Sequence, residues 1–500
     1  MFLLLLTFTA PLLLVWVYVR WLKVKRYWAD RGVPFVPPNP LLGNLTFLQR
    51  YNSGIWMRNL YHSYRRPYVG IWLFWRPALV VNSVEIGRRV LISDAAFFRD
   101  RLVTSGDSDP IGKYNLFTVK EPVWSSLRRR LTPVFTAAKL RSMHSLVNMK
   151  TKELMQRIQN DMTESQSVNL RKVFTDYTTD VIGGVSLGFV GEATLSGRGP
   201  LRTVTQQFMD YDFFRGVSWL LMFFWPTWVN FFGLTAFPKS SIDILKRVYQ
   251  TALTQRGGYE TEVKETRDLL DALIKIKQDR ARDNEDMPEE KLIAHTAVFV
   301  LGGFDTTATV LSWCVYELAF HPEIQENMYI ELLNLQEDEE KLKDFDAGSL
   351  SNLSYLNAVI DETLRKYVPM GWLDRVANQD YQIDEHLTVP AGTPVYVNAV
   401  GIQSDPNIFP EPDKFWPERF LENDINRSSM PVWTFGEGPR SCIGRRFALI
   451  NLRCALAYMV VTFKFRPMAT TPSPARVQVE RYSLFYTPGE PLLINFEHRK

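Results

Sequence analysis

Cysteine is scarce in this chain: Cys314, Cys442 and Cys454 are the only ones in 500 residues. So few exclude a disulfide framework and fit a reducing compartment. There is no Cys-x-x-Cys-His run, which excludes the attachment signal of c-type haem. A dominant charge is also missing. Lys and Arg number 58 against 54 Asp and Glu, a net charge of +4. That balance excludes a generally basic nucleic-acid binder, and no nucleic-acid partner is expected. A mean hydropathy of -0.14 excludes a polytopic membrane protein. No repeat of about 20–50 residues is present, and no low-complexity linker follows Pro40. One folded domain is therefore expected in the body rather than several.

Long uncharged runs occur in two places. No charged residue precedes Arg20, and Arg20, Lys23, Lys25 and Arg26 come before the first acid, Asp30. About 20 apolar residues span a bilayer core as a helix. A cleaved signal peptide would need a basic start and a small-residue cleavage site, and neither is present. The expectation is a membrane anchor at 1–22, a basic and proline-rich hinge at 23–43, and a catalytic domain at 44–500. Basic residues just after the run place that domain in the cytosol. The second run, Gly216 to Pro238, is uncharged and carries Trp219, Phe223, Phe224, Trp225, Trp228, Phe231 and Phe232. It reads first as a segment dipping into the lipid interface. Plain core and a second span are the alternatives, although Pro226, Asn230 and Gly233 interrupt it.

The most informative stretch is Phe435-Gly-Glu-Gly-Pro-Arg440-Ser-Cys442-Ile-Gly444. Glycines on both sides suit a loop wrapped tightly around the sulfur. The helical pattern from Arg445 places Cys442 at a helix N-terminus, where exposed amides favour a thiolate. A thiolate can ligate haem iron and push electron density toward O–O cleavage. Arg440 is placed to neutralise a haem propionate. Upstream, Ala294 to Phe320 is long, apolar and helical, with Gly302-Gly-Phe304-Asp305-Thr306-Thr inside it. Two mid-helix glycines cost up to about 1 kcal/mol each, so a reason is expected. They permit close approach to a flat cofactor. The Thr306 hydroxyl can bond the Gly302 carbonyl four residues back and open a notch for O2 and water.

Together these segments resemble the cytochrome P-450 superfamily, whose haem signature FxxGxRxCxG is matched at 435–444. The microsomal, insect detoxification-type (clan three) enzymes look most similar, on Leu131-Thr-Pro-Val-Phe-Thr-Ala-Ala-Lys-Leu and Tyr316-Glu-Leu-Ala. The resemblance implies a mainly α fold with small β-sheets, carried as a single domain after an N-terminal transmembrane helix. It implies haem b, iron protoporphyrin IX with an axial thiolate, with Cys442 as the metal ligand. Phe435, Arg440, Arg375 and the Trp124-x-x-x-Arg128 pair are implied to hold the cofactor. Asp305 and Thr306 are implied to organise catalytic proton delivery. Glu362-Thr-Leu-Arg365 and Arg419 match the family's buried charge triad.

By resemblance the substrate pocket takes Phe304, Val368, Met370, Gly371 and Trp372. Val368 and Gly371 stand where prolines are usual, and Gly371 and Trp372 have opposed effects on pocket width. That lining favours a dedicated defence or host-plant metabolite over broad xenobiotic detoxification. Reducing equivalents are implied to come from NADPH through a separate NADPH-cytochrome reductase, with cytochrome b5 allowed as a second partner. Arg128, Arg129, Arg130, Lys139, Arg445 and Arg446 suit an acidic partner. The expected protein is thus a monooxygenase of the endoplasmic reticulum membrane, single-pass, acting on a lipophilic small molecule. A haem-thiolate isomerase or dehydratase without a reductase, and a non-catalytic haem-binding protein, are the alternatives.

Overall fold

The computed structural model describes residues 2–335, 344–421 and 430–499. In chain order the helices that matter here are α1 (Phe2–Arg26), α2 (Val123–Leu131), α3 (His144–Ser165), α4 (Leu170–Leu187), α5 (Pro200–Phe208), α6 (Phe213–Phe224), α7 (Lys239–Gln255), α8 (Glu289–Phe320), α9 (Ser354–Lys366) and α10 (Arg445–Thr462). The strands are β1 (Tyr68–Leu73), β2 (Arg76–Val81), β3 (Val168–Asn169), β4 (Leu373–Val376), β5 (Tyr381–Gln382), β6 (Thr388–Val389), β7 (Pro394–Val397), β8 (Phe463–Pro467) and β9 (Leu493–His498). The expected mainly α fold with small sheets is what is found.

Helix α8 organises the body. Its first turn carries Glu289 and Glu290, which complement the positive end of the helix dipole. From Leu292 on it is apolar on nearly every face, the pattern of a helix buried all round. Along one side lies α4, almost wholly buried. Gly303 permits that approach: a Cβ there would stand 2.4 Å from Cδ1 of Ile182 on α4. The main sheet runs β1-β2-β7-β4. Strands β4 and β7 pair antiparallel with Asp374 opposite Tyr396 and Arg375 opposite Val395. This register sets the charged 374–375 pair at the edge of the cavity described below.

The transmembrane helix expected ahead of the catalytic domain is corrected. Among the described residues, one helix is long and apolar enough to cross a membrane, and it is the internal α8, with 72% of its apolar window buried inside the protein. Its apolar length is explained by core packing. Residues Phe2–Arg26 do form a helix, whereas Met1 lies outside the described residues. The C-terminal turns of that helix are fixed to the folded body. Trp72 Nε1 donates to the Val24 carbonyl at 3.0 Å, and the Trp21 and Trp75 rings lie 6.0 Å apart. The single-pass topology falls with the anchor.

The proline-rich stretch is likewise folded in. Trp28 is fully buried, Gly70 N–H donates to the Pro34 carbonyl at 2.7 Å, and Val36 N–H donates to the Gly70 carbonyl at 3.1 Å. Gly70 permits the contact, since a Cβ there would stand 2.4 Å from the Trp28 ring.

Candidate active site

Between α8, α6 and the 435–444 loop lies a cavity of about 320 Å³. Cys442, alone of the three cysteines, lines it. The loop is closed by the Cys442 amide donating to the Phe435 carbonyl at 2.7 Å. Gly436 and Gly438 sit at φ of 68° and 69°, a left-handed conformation that L side chains avoid. Gly438 also lies against the neighbouring backbone, where a Cβ would stand 1.8 Å from the Leu91 carbonyl oxygen. The glycines therefore exist to fold this loop.

The sulfur is accessible and yet deep in the protein, because what it faces is the cavity and not bulk solvent. Burial pushes its thiol above the ordinary value; the Gly444 amide and the Arg128, Arg101 and Arg445 guanidiniums oppose that rise. The helix N-terminus thus helps the thiolate but does not by itself outweigh desolvation. Cys454 lies off the cavity and donates to Asn148 Oδ1 at 3.0 Å. Burial pushes Cys314 and Cys454 each up to about 12, which suits inert core thiols.

One rim of the cavity is cationic. Arg101, Arg128 and Arg440 line it beside Trp124. Arg101 pairs with buried Asp374 at 3.1 Å, and Arg440 pairs with Asp100 at 3.2 Å. The Arg440 guanidinium also stacks over Trp124, 3.9 Å from the ring centre. Its Nη1 is buried without a partner. Arg375 is buried directly behind, bonding the Asp374 carbonyl at 2.8 Å. Burial and then the charge of Arg101 bring Arg375 and Arg440 each down to about 9. Among the described residues neither Arg128 nor Arg375 has a carboxylate within ion-pair distance. A group bringing its own carboxylates relieves this crowding.

That surplus of cations, the cavity-facing thiol and the open space at Gly302, where a Cβ would meet nothing within 4 Å, fit a flat dianionic macrocycle with one axial sulfur. Haem b meets all three conditions. Among the described residues no group of three or more His, Cys, Asp or Glu could hold a metal otherwise.

On the opposite wall Thr306 faces the cavity, and its hydroxyl donates to the Gly302 carbonyl at 2.6 Å. Its neighbour Asp305 does not reach the cavity. Asp305 is buried against α4, where both carboxylate oxygens are engaged, one by Arg171 and the other by Tyr211 Oη at 3.0 Å. Behind the 435–444 loop, Glu362 accepts from Arg365 Nε at 2.7 Å and from Arg419 Nε at 3.1 Å. All three side chains are buried.

A match to the family profile of cytochrome P450 (cytochrome P-450) spans residues 33–494. The chain belongs to this family. It is 30% identical to cytochrome P-450 6k1 of Blattella germanica over 502 residues, covering 96% of this chain and 95% of that one. Cytochrome P-450 6a2 of Drosophila melanogaster is 30% identical over 468 residues, covering 90% and 91%. These insect relatives place it in the clan that the sequence resembled. As a cytochrome P-450 it is a monooxygenase, with haem-thiolate activity on lipophilic molecules.

Of the pocket residues expected for this cytochrome P-450, the structure brings Met370 alone to the cavity. Phe304 packs toward Phe208, with ring centres 6.5 Å apart. Val368 and Trp372 are fully buried, and Trp372 wedges between Phe223 and Phe224. Gly371 neither widens nor lines the cavity. A Cβ there would stand 2.9 Å from the Gly54 backbone, so this glycine lets the segment before β4 pack against the helix Ser53–Tyr64. Much of the remaining lining comes from residues that no motif marks, among them Phe117, Phe237, Phe299 and Phe485. Arg101 was likewise missed. Its role depends on Asp374, 273 positions away in sequence.

Proposed function

We propose that this chain is a microsomal haem-thiolate monooxygenase that inserts one oxygen atom from O2 into a lipophilic secondary metabolite, with NADPH delivered through a partner reductase. The supporting observation is the Cys442 thiol facing the Gly302–Thr306 wall across a largely apolar cavity rimmed by guanidiniums. Cys442 Sγ would ligate the iron, and Arg101, Arg128 and Arg440 would hold the propionates. Haem bound there supplies the O2 activation and the electron transfer that side chains cannot. The chain's own residues do the rest. The aromatic wall excludes bulk water and orients the substrate. Thr306 Oγ1 holds a proton on the Gly302 carbonyl at 2.6 Å, within the notch where oxygen must be protonated.

Of the basic residues suited to an acidic partner, Arg130 and Lys139 are already paired, with Asp279 at 3.3 Å and Glu265 at 2.6 Å. Arg129, Arg445 and Arg446 are exposed and carry the proposed reductase face, with cytochrome b5 as a second donor for the same surface. The test is reconstitution with NADPH-cytochrome reductase. Product must form with consumption of O2 and NADPH. Product formed without NADPH would identify an isomerase or dehydratase, and haem binding without turnover would identify a binding protein.

Thr306→Ala tests the notch. Peroxide released per NADPH is expected to rise about tenfold, within the range of a lost acid–base group, while haem content stays unchanged. Unaltered coupling would make this threonine structural.

Microsomal membrane association is further supported by the second uncharged run, which the structure divides. Phe223 and Phe224 are core, and Trp225 stacks on Phe74 with ring centres 3.5 Å apart. Phe231 and Phe232 are 75% and 55% exposed beside Trp228. Exposed rings grouped this way favour an interface. A photoreactive probe carried in the acyl chains of phosphatidylcholine vesicles is expected to label residues 228–232. Labelling that spares them would show the segment to be wet.

A further inference from the structure

Asp305 is held by groups from two other elements. Arg171, in the first turn of α4, pairs with one carboxylate oxygen. Through Nη1 it also bonds the Asp305 carbonyl at 3.3 Å and Thr309 Oγ1 at 2.8 Å. Burial pulls this guanidinium down, but Asp305 and Tyr211 hold it above its ordinary value. The second carboxylate oxygen accepts from Tyr211. Tyr211 lies between α5 and α6, one residue before Asp212, whose side chain caps α6 by accepting from the Arg215 amide at 2.7 Å. Helix α6 in turn carries Trp219, Met222 and Phe223 over the cavity. Ser483, next to cavity-lining Leu484 and Phe485, lies close to the same phenol.

The geometry points to Asp305 and Tyr211 as a latch that fastens the roof helix α6 to α8, with Asp305 a positioning residue and not the proton donor of the cavity. The carboxylate lies on the α4 side of α8, its neighbour Thr306 on the cavity side. Adjacent residues on a helix point about 100° apart, which sets these two side chains on different faces of α8. Arg171, bonded to both the carboxylate and the backbone carbonyl of Asp305, aims that side chain away from the notch. A charged acceptor makes the Tyr211 hydrogen bond one of the stronger kind. Releasing it frees the start of α6, and with it the aromatic roof through which a large ligand must pass. The inference rests on the monooxygenase reading only in taking this cavity as the ligand site.

The test uses the full-length haem-loaded protein and two probes, carbon monoxide and a bulky diphenyl-substituted imidazole. A thiolate-type reduced carbon monoxide spectrum in the unmodified protein is checked first; its absence would overturn the haem-thiolate reading itself. In Tyr211→Phe the bulky imidazole is expected to dissociate about tenfold faster, the scale of one charge-assisted hydrogen bond. Carbon monoxide binding is expected to stay within about twofold, a size dependence that a general loss of stability would not produce. Asp305→Asn is expected to show the same faster release while peroxide per NADPH stays unchanged. Unchanged imidazole release in Tyr211→Phe overturns the latch. Increased peroxide in Asp305→Asn with unchanged release overturns it too, and assigns Asp305 to proton delivery. If Asp305→Asn does not fold, Tyr211→Phe decides alone.

Discussion

Cys442→Ser is expected to abolish the thiolate-type reduced carbon monoxide spectrum completely and to take product formation below detection. No other thiol can substitute. Cys454 is tied to Asn148 and Thr151 away from the cavity, and Cys314 is buried in α8. The substitution would place a hydroxyl where ligation and electron donation both require a thiolate. The fold should survive, because the loop is shaped by Gly436, Gly438 and the Cys442 backbone amide rather than by the sulfur. The comparison variants are Cys454→Ser and Cys314→Ser, both expected to keep the spectrum. Retention of the spectrum in Cys442→Ser, or its loss in Cys454→Ser, would move the ligand assignment elsewhere.

Glu362→Ala is expected to be the most damaging single change outside the cavity. Glu362 accepts from Arg365 through both Nε and Nη2, from Arg419, and from the Trp416 amide at 3.0 Å. Truncation leaves two buried guanidiniums without their carboxylate. Breaking a buried pair in this way costs about 3–5 kcal/mol, a large share of a total stability of about 5–15 kcal/mol. Arg365 and Arg419 each retain carbonyl partners, Gln403 at 2.9 Å and Pro410 at 2.8 Å, which soften the loss without neutralising the charge. The yield of folded, haem-loaded protein should fall by about tenfold or more, and the urea midpoint with it. Glu362→Gln, which keeps the acceptor and loses the charge, should fall between. An unchanged midpoint in Glu362→Ala would show the triad to be dispensable.

The sites that were legible in the sequence share one property: their geometry is local. The Cys442 loop is shaped by glycines within six residues, so its spacing carries its conformation. Glu362 and Arg365 lie three apart on one helix, and a helix places such residues on one face wherever it packs. Thr306 reaches Gly302 within its own helix.

What sequence alone could not decide was orientation. Whether Asp305 or Thr306 faces the cavity depends on which side of α8 receives α4, and that is set by Gly303 meeting Ile182. Gly371 suggested pocket shape, but tertiary packing spends it on contact with Gly54 and Val400. The apolar runs carried apolarity without destination: α8 is long and apolar enough to cross a membrane and is buried in the core, while Phe231 and Phe232, in a less regular run, remain exposed. The cationic rim needed Asp374 brought to Arg101, and Asp374 is set there by the pairing of β4 with β7. Residue type and local spacing determined the Cys442 loop and the Glu362–Arg365 pair, because those depend on neighbours in the chain, whereas Arg419 reaches Glu362 from 57 positions away. Only the assembled structure decided which faces look inward, because burial is non-directional until a partner surface arrives.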